Sequence, residues 1–267
     1  MIELGCCTDI PVSEAARKKI CKIKEAGFDY VELNFQAAAA LTPGERREAA
    51  RFLEESGLPC RAMNCLLPGS LPVVGPEADL GKVREYLETA FPAAKELGAK
   101  TVVFGSGAAR RIPVGFSREI AWVQLVGFLR LADSYCAPHG LEIAIEPLCW
   151  AECNALNTLM EGYRLATDAN RPRIGLLADF YHLQRNREDP LDILSASPML
   201  RHIHTANLMD RGFPREGTFK EHSLLFSMLR QAGYQGGVSV EGRTENFDRD
   251  VLEAGRVLRQ IRDEYRI

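Results

Sequence analysis

No run of about twenty apolar residues occurs in this chain of 267 residues, so no segment of it reads as a membrane-spanning helix. The opening stretch, MIELGCCTDIPVSE, lacks a basic start followed by an apolar core, and no secretory signal is expected from it. The eight cysteines (Cys6, Cys7, Cys21, Cys60, Cys65, Cys136, Cys149 and Cys153) include no CxxC pair. Together these absences point to reduced, mostly buried thiols in a cytoplasmic protein, rather than a disulfide framework or a structural zinc site. An excess of one charge is lacking too. Thirty-three basic and 36 acidic residues leave a formal net charge of -3, without the basic footprint of a nucleic-acid binder. The turn after the first strand-like segment, GCCTDIP, has none of the glycine pattern of a dinucleotide-binding fold. Histidine is scarce, at five residues.

What is present is a repeated alternation of short apolar runs and amphipathic stretches. The runs are IELGC (2–6), YVELN (30–34), CRAMN (60–64), TVVFG (101–105), LEIAIE (141–146), IGLLAD (174–179), HIHT (202–205) and GVSVE (237–241). Between them, VSEAARKKICKIKEAG has Ser13 as a helix cap and closes at Gly27. TPGERREAARFLEESG has Thr42 as cap, Pro43 in its first turn and Gly57 at its end. Further helices fit 80–98, 117–138, 156–169, 190–196, 220–232 and 248–264. Eight strand–helix units predict one (β/α)8 TIM barrel spanning 1–267, with a doubly wound open sheet as the runner-up. The long irregular stretches at 66–79 and 105–116 follow strands three and four, on the face where barrel sites are built.

Four consecutive strands end in side chains able to hold a metal: Glu146, Asp179, His204 and Glu241. A single acid at such a place is equally well explained as a helix cap or an arginine partner. Several buried carboxylates together repel one another, and a divalent cation with one neutral imidazole removes that cost. Four equivalent positions therefore favour a metal. Strand alternation separates the two histidines of HIHT. With His204 facing inward at the rim, His202 faces inward one layer lower, as a structural residue that could donate to a nearby carboxylate. The same alternation puts Ser239 beneath Glu241 and Leu177 beneath Asp179.

With those residues in order, the chain resembles the xylose-isomerase-like barrel superfamily, in its sugar phosphate isomerase/epimerase and ketose 3-epimerase branch. The resemblance runs through GFDYVEL, IEPLCWAECNALNT, ADFYH, HIHTAN with DRGFP, and VSVEG. It implies one divalent ion on Glu146, Asp179, His204 and Glu241, with Mn2+ as first choice and Co2+, Mg2+ or Zn2+ open. It implies Glu146 and Glu241 as the acid–base pair that moves a proton through a cis-enediolate, and Glu152, His182 and Arg211 as substrate contacts. The implied partner is a small polyhydroxy substrate (a sugar, sugar phosphate or cyclitol ketone), and a homodimer or homotetramer fits the family. Where those epimerases carry an Asn-Arg pair after the strand-five proline, this chain has Cys149-Trp150. Related chemistries are a dehydratase or aldolase on a polyol and, more remotely, a zinc-cluster DNA-repair endonuclease of the same fold. A sugar-binding barrel without turnover is a third reading, against which both intact glutamates count.

Other polar residues carry smaller expectations. Arg110 and Arg111 are expected to face solvent on a lid, Glu32 to orient a ligand or lid, and Trp150 to wall the pocket or pack on the next helix. His139 reads as a helix-end residue, and His222 as a surface residue without a role.

Overall fold

Each apolar run becomes a strand in the computed structural model, which describes residues 1–267. The strands are β1 (Glu3–Thr8), β2 (Tyr30–Asn34), β3 (Cys60–Asn64), β4 (Thr101–Phe104), β5 (Glu142–Ile145), β6 (Ile174–Asp179), β7 (Leu200–Thr205) and β8 (Gly237–Val240). Neighbours in the chain are neighbours in the sheet, every pair is parallel, and β8 pairs back onto β1. The result is a closed (β/α)8 barrel, which rules out the open sheet.

The expected helices form around it: α1 (Glu14–Glu25), α3 (Pro43–Ser56), α4 (Leu80–Glu96), α5 (Arg118–His139), α6 (Leu159–Ala169), α8 (Asp192–Ala196), α9 (Phe219–Gln231) and α10 (Phe247–Tyr265). Ser13 and Thr42 cap α1 and α3 as predicted, Thr42 through a reciprocal bond with Glu45. Two short helices, α2 (Phe35–Ala40) and α7 (Phe180–Asn186), are additional and start directly at strand ends. They need no loop of their own because Asn34 and Asp179, the last residues of β2 and β6, cap them with their side chains.

Most of the apolar core lies between barrel and helices. A smaller group, Val103, Ala144 and Leu177, fills one layer of the barrel interior. The floor is filled by the Tyr30 ring. It takes the space that side chains on Gly5 and Gly237 would occupy, and its hydroxyl meets Ser239 Oγ at 2.8 Å. Above it the register sets Cys7 beside Glu32, Asp179 beside His204 and His204 beside Ser239, so the inward residues form stacked layers. The layer above the apolar one is almost wholly polar.

Candidate metal and active site

Glu146, Asp179, His204 and Glu241 converge at the C-terminal mouth of the barrel, with one donor atom from each lying within 4.8 Å of the others. Glu146 and Glu241 stand one residue beyond β5 and β8, where the chain leaves the sheet and turns over the barrel mouth.

His204 is wholly buried, and its Nε2 is 2.9 Å from Glu32 Oε1. The carboxylate requires a donor there, so the proton sits on Nε2 and Nδ1 is left to face the centre. Nδ1 lies 3.5 Å from Glu146 Oε1 and 3.7 Å from Glu241 Oε2. Nδ1 and Glu146 Oε1 are both buried without a hydrogen-bond partner. An unpaired imidazole nitrogen beside an unpaired carboxylate oxygen, with two further carboxylates, is a donor set that fits a divalent cation. Glu32 thus orients a ligand-type residue, as one of its two expected roles had it. Its other oxygen is held by His202 Nε2 at 2.7 Å, which places His202 one layer lower as the carboxylate's second donor.

The simpler explanations of these acids are also partly realised. Asp179 Oδ1 accepts from the Tyr181 and His182 amides at 2.7 and 3.3 Å, capping α7, while Oδ2 faces the centre. Glu241 Oε2 accepts from Arg211 Nη2 at 3.1 Å and Oε1 from Asn64 Nδ2 at 3.2 Å. Asn64, at the end of β3, escaped the sequence reading, although inspecting every strand end would have found it.

Glu152, His182 and Arg211 also lie at this mouth. Arg211 Nη1 donates to Glu152 Oε1 at 2.8 Å, and the guanidinium stacks over Tyr181 at 4.9 Å. The Cys149 amide donates to His182 Nδ1 at 3.2 Å, so the neutral ring carries its proton on Nε2. That buried Nε2 has no partner and lies 3.8, 3.9 and 4.0 Å from Asp179, Glu146 and Glu152. His182 is therefore set as a donor into the cavity.

The local field separates the acids. Burial pushes Glu32 up, but His204 and His202 outweigh it and hold the carboxyl far below its usual range. Glu146 is also lowered: burial opposes ionisation, and His204, His182 and Arg110 overcome it. Glu241 is pushed up to about 7, by burial first and then by Glu146 and Asp179, against the pull of His204 and Arg211. His204 is raised despite its burial, because Glu32, Glu241 and Glu146 surround it.

Two expectations are corrected. Arg110 does not face solvent: it is wholly buried, donating to Phe104 O at 2.7 Å and Glu146 O at 2.5 Å, while exposed Arg111 bonds Glu152 O. The paired strand ends offer Arg110 two carbonyls that no local pattern announces. His222 is not a surface residue: it is buried between Thr205 Oγ1 and Asn207 Oδ1, each 3.0 Å away. Its spacing to Leu225, Phe226 and Leu229 puts it on the inward face of α9. Trp150 is 57% exposed, and its amide donates to Asn186 Oδ1 of α7 at 3.1 Å.

A sequence model of the family described as xylose isomerase-like TIM barrel matches residues 20–262. Among curated proteins, the 3-dehydro-D-guloside 4-epimerase of Escherichia coli is 27% identical over 238 residues, 86% of this chain and 88% of that one. The L-ribulose 3-epimerase of Methylomonas sp. is 28% identical over 234 residues, 85% of this chain and 78% of that one. Among solved structures, the apo 3-keto-D-glucoside 4-epimerase of E. coli superposes with a TM-score of 0.79 at 23% identity, covering 98% of this chain and 100% of the other. The D-allulose 3-epimerase of Methylomonas sp. with D-allulose gives 0.83 at 22%, covering 97% and 96%. These structural likenesses establish the barrel.

Proposed function

This chain belongs to the xylose isomerase-like TIM barrel family, and we propose that it is a divalent-metal-dependent epimerase or isomerase of small polyhydroxy ketones. The observation that carries this reading is the convergence of Glu146, Asp179, His204 and Glu241 around a centre into which Glu146 Oε1 and His204 Nδ1 point without partners. The names of the relatives agree on the chemistry. A 4-epimerase of a 3-dehydro sugar and a 3-epimerase of a ketose both invert the carbon next to a carbonyl.

Those four residues would hold the ion. Bound there, it would supply positive charge to the carbonyl and hydroxyl oxygens of the substrate, with Mn2+ the first choice. Glu146, ionised by its surroundings, takes the proton from the carbon beside the carbonyl, and the electron pair moves toward the carbonyl oxygen to give a cis-enediolate. Glu241 returns a proton to the opposite face, and the two exchange roles in the reverse reaction. His182 Nε2–H donates to a substrate oxygen, while Arg211 and Glu152 bind its hydroxyls as a pair. A neutral sugar is favoured over a phosphate. Glu32, Glu146, Glu152, Asp179 and Glu241 crowd the site with negative charge, Arg110 is sealed behind Glu146, and Arg211 already holds two carboxylates.

The His182 proton also separates this reading from a multi-zinc endonuclease, which would need bare imidazole nitrogen where this chain presents N–H. The test is deuterium uptake from D2O at the carbon beside the carbonyl, followed by NMR across ketoses, ketose phosphates and cyclitol ketones. Mn2+-loaded protein should exchange and epimerise at least one ketose, and EDTA should stop both. Elimination of water in place of exchange would move the assignment to a dehydratase. No reaction with any member of the panel, at full Mn2+ occupancy, would sink it.

A further inference from the structure

Two residues of the segment after β4 hold Glu146 from opposite ends. The backbone of Gly105 is outside the left-handed region, so its conformation does not call for glycine. Space does. A Cβ on Gly105 would overlap Glu146 Oε2 and lie 2.9 Å from its Cδ and 3.6 Å from its Cβ. The place of the missing methyl is filled by the Glu146 carboxylate.

Arg110 grips the other end. Its guanidinium lies over the Phe104 ring at 5.2 Å, and both its hydrogen bonds go to main-chain carbonyls, those of Phe104 and Glu146. Phe104 O also accepts from the Glu146 amide at 3.3 Å. A guanidinium taken wholly out of water without a bonded carboxylate is costly. This one joins the ends of β4 and β5 at the point where Glu146 leaves the sheet. The segment between cannot simply slide to relieve a wedge at position 105. Ser106 Oγ accepts from the Leu67 amide at 2.8 Å, and Ala109 O accepts from the Val73 amide at 2.8 Å.

We propose that Gly105 and Arg110 form one clamp that sets where the Glu146 carboxylate stands, as positioning residues for the acid–base chemistry. Their role in that chemistry rests on the function proposed above; the clamp itself is read by position and by ion affinity.

The test is Mn2+ titration calorimetry of the full chain, together with crystal structures of the variants. Gly105→Ala is expected to displace the carboxylate and weaken Mn2+ binding by roughly 10–100-fold, the usual scale for a residue that orients a ligand. Arg110→Met should do the same, and Arg110→Lys, which keeps a donor for one carbonyl, should recover part of it. The sharpest readout is Gly105→Ala combined with Glu146→Asp. Shortening the acid withdraws it from the added methyl, so the double variant should bind Mn2+ no worse than Glu146→Asp alone. Wild-type affinity in Gly105→Ala with Glu146 unmoved, or fully additive losses in the double variant, overturns the clamp. Should Gly105→Ala not fold, equal affinity in Arg110→Met, Arg110→Lys and wild type overturns it instead. Should wild type itself take up no Mn2+, the metal reading fails, and the clamp is decided by the position of Glu146 in the Gly105→Ala crystal.

Discussion

Glu146 and Glu241 face one centre, yet the protein holds them by opposite means. Glu146 is 4% exposed, seated against a glycine, with its carbonyl gripped by a buried arginine. The Glu241 side chain keeps 23% of its surface and is held by the tips of Arg211 and Asn64. Backbone and packing place the first, whereas side chains that can swing place the second. Charge follows suit: Glu146 is driven toward its ionised form, and Glu241 is pushed up to about 7. On the function proposed above, a site working on both faces of one carbon would be fixed by backbone on one side and by side chains alone on the other.

The largest effects should come from removing each acid in turn. Glu146→Gln and Glu241→Gln are each expected to cut epimerisation by about 10²–10⁴-fold with Mn2+ saturating. Deuterium exchange should survive in only one epimer in each variant, and in opposite epimers for the two. Exchange lost from both epimers in both variants would break the two-face assignment. Next in size is Glu32→Gln, which keeps an acceptor for only one of His202 and His204 and removes the charge, and should weaken Mn2+ binding by roughly 10–100-fold by calorimetry.

The pH dependence sharpens the contrast between the acids. An ion must displace any proton that its ligands carry, and protonated forms prevail below the pKa. His204 is raised, so across the neutral range an ion must displace the ring's second proton, the one on Nδ1, while Nε2 keeps its own toward Glu32. Glu241 adds a second proton below about pH 7. The fall in log Mn2+ affinity should therefore steepen from about one to about two per pH unit on descending through pH 7. Arg211→Met removes the cation that Glu241 shares with Glu152. It should move that break upward in pH and lower kcat/KM by about tenfold, the scale of one charge-assisted hydrogen bond.

The smallest effect concerns stability alone. His222, beside Thr205 and Asn207, is lowered from 6.5 to about 4, mainly by burial and then by Arg215. The unfolded chain takes up the proton first. The stabilisation is therefore complete above pH 6.5 and lost as pH falls toward 4, by roughly 3 kcal/mol at most. Replacing His222 by Asn should flatten that acid limb in urea titrations, and an unchanged limb would remove His222 from the account.

The barrel was legible because each of its eight strands is a short apolar run followed by a helix signal, and parallel strands buried on both faces leave little else to read. The ligand-type residues were legible because alternation turns a strand's last inward residue into a rim position. Arg110 was not. Arg110 and Arg111 are adjacent and chemically identical, and only the pairing of β4 with β5 creates the two carbonyls that draw one of them inward. Glu32 shows a related limit. Its place on strand two suggested a residue that orients a ligand or lid, but its hold on His202 and His204 joins residues 170 and 172 positions apart.

The Tyr30 ring between Gly5 and Gly237 stops the lower end of the barrel. On the function proposed above, a hydrogen isotope lifted from a sugar would leave by the opposite end, where Arg211 and Glu152 lie. Label carried from substrate to product, compared with label lost to water, then times the opening of that mouth against the chemistry within it. Loosening Arg211 should shorten that residence, whereas changes at the floor should leave it alone.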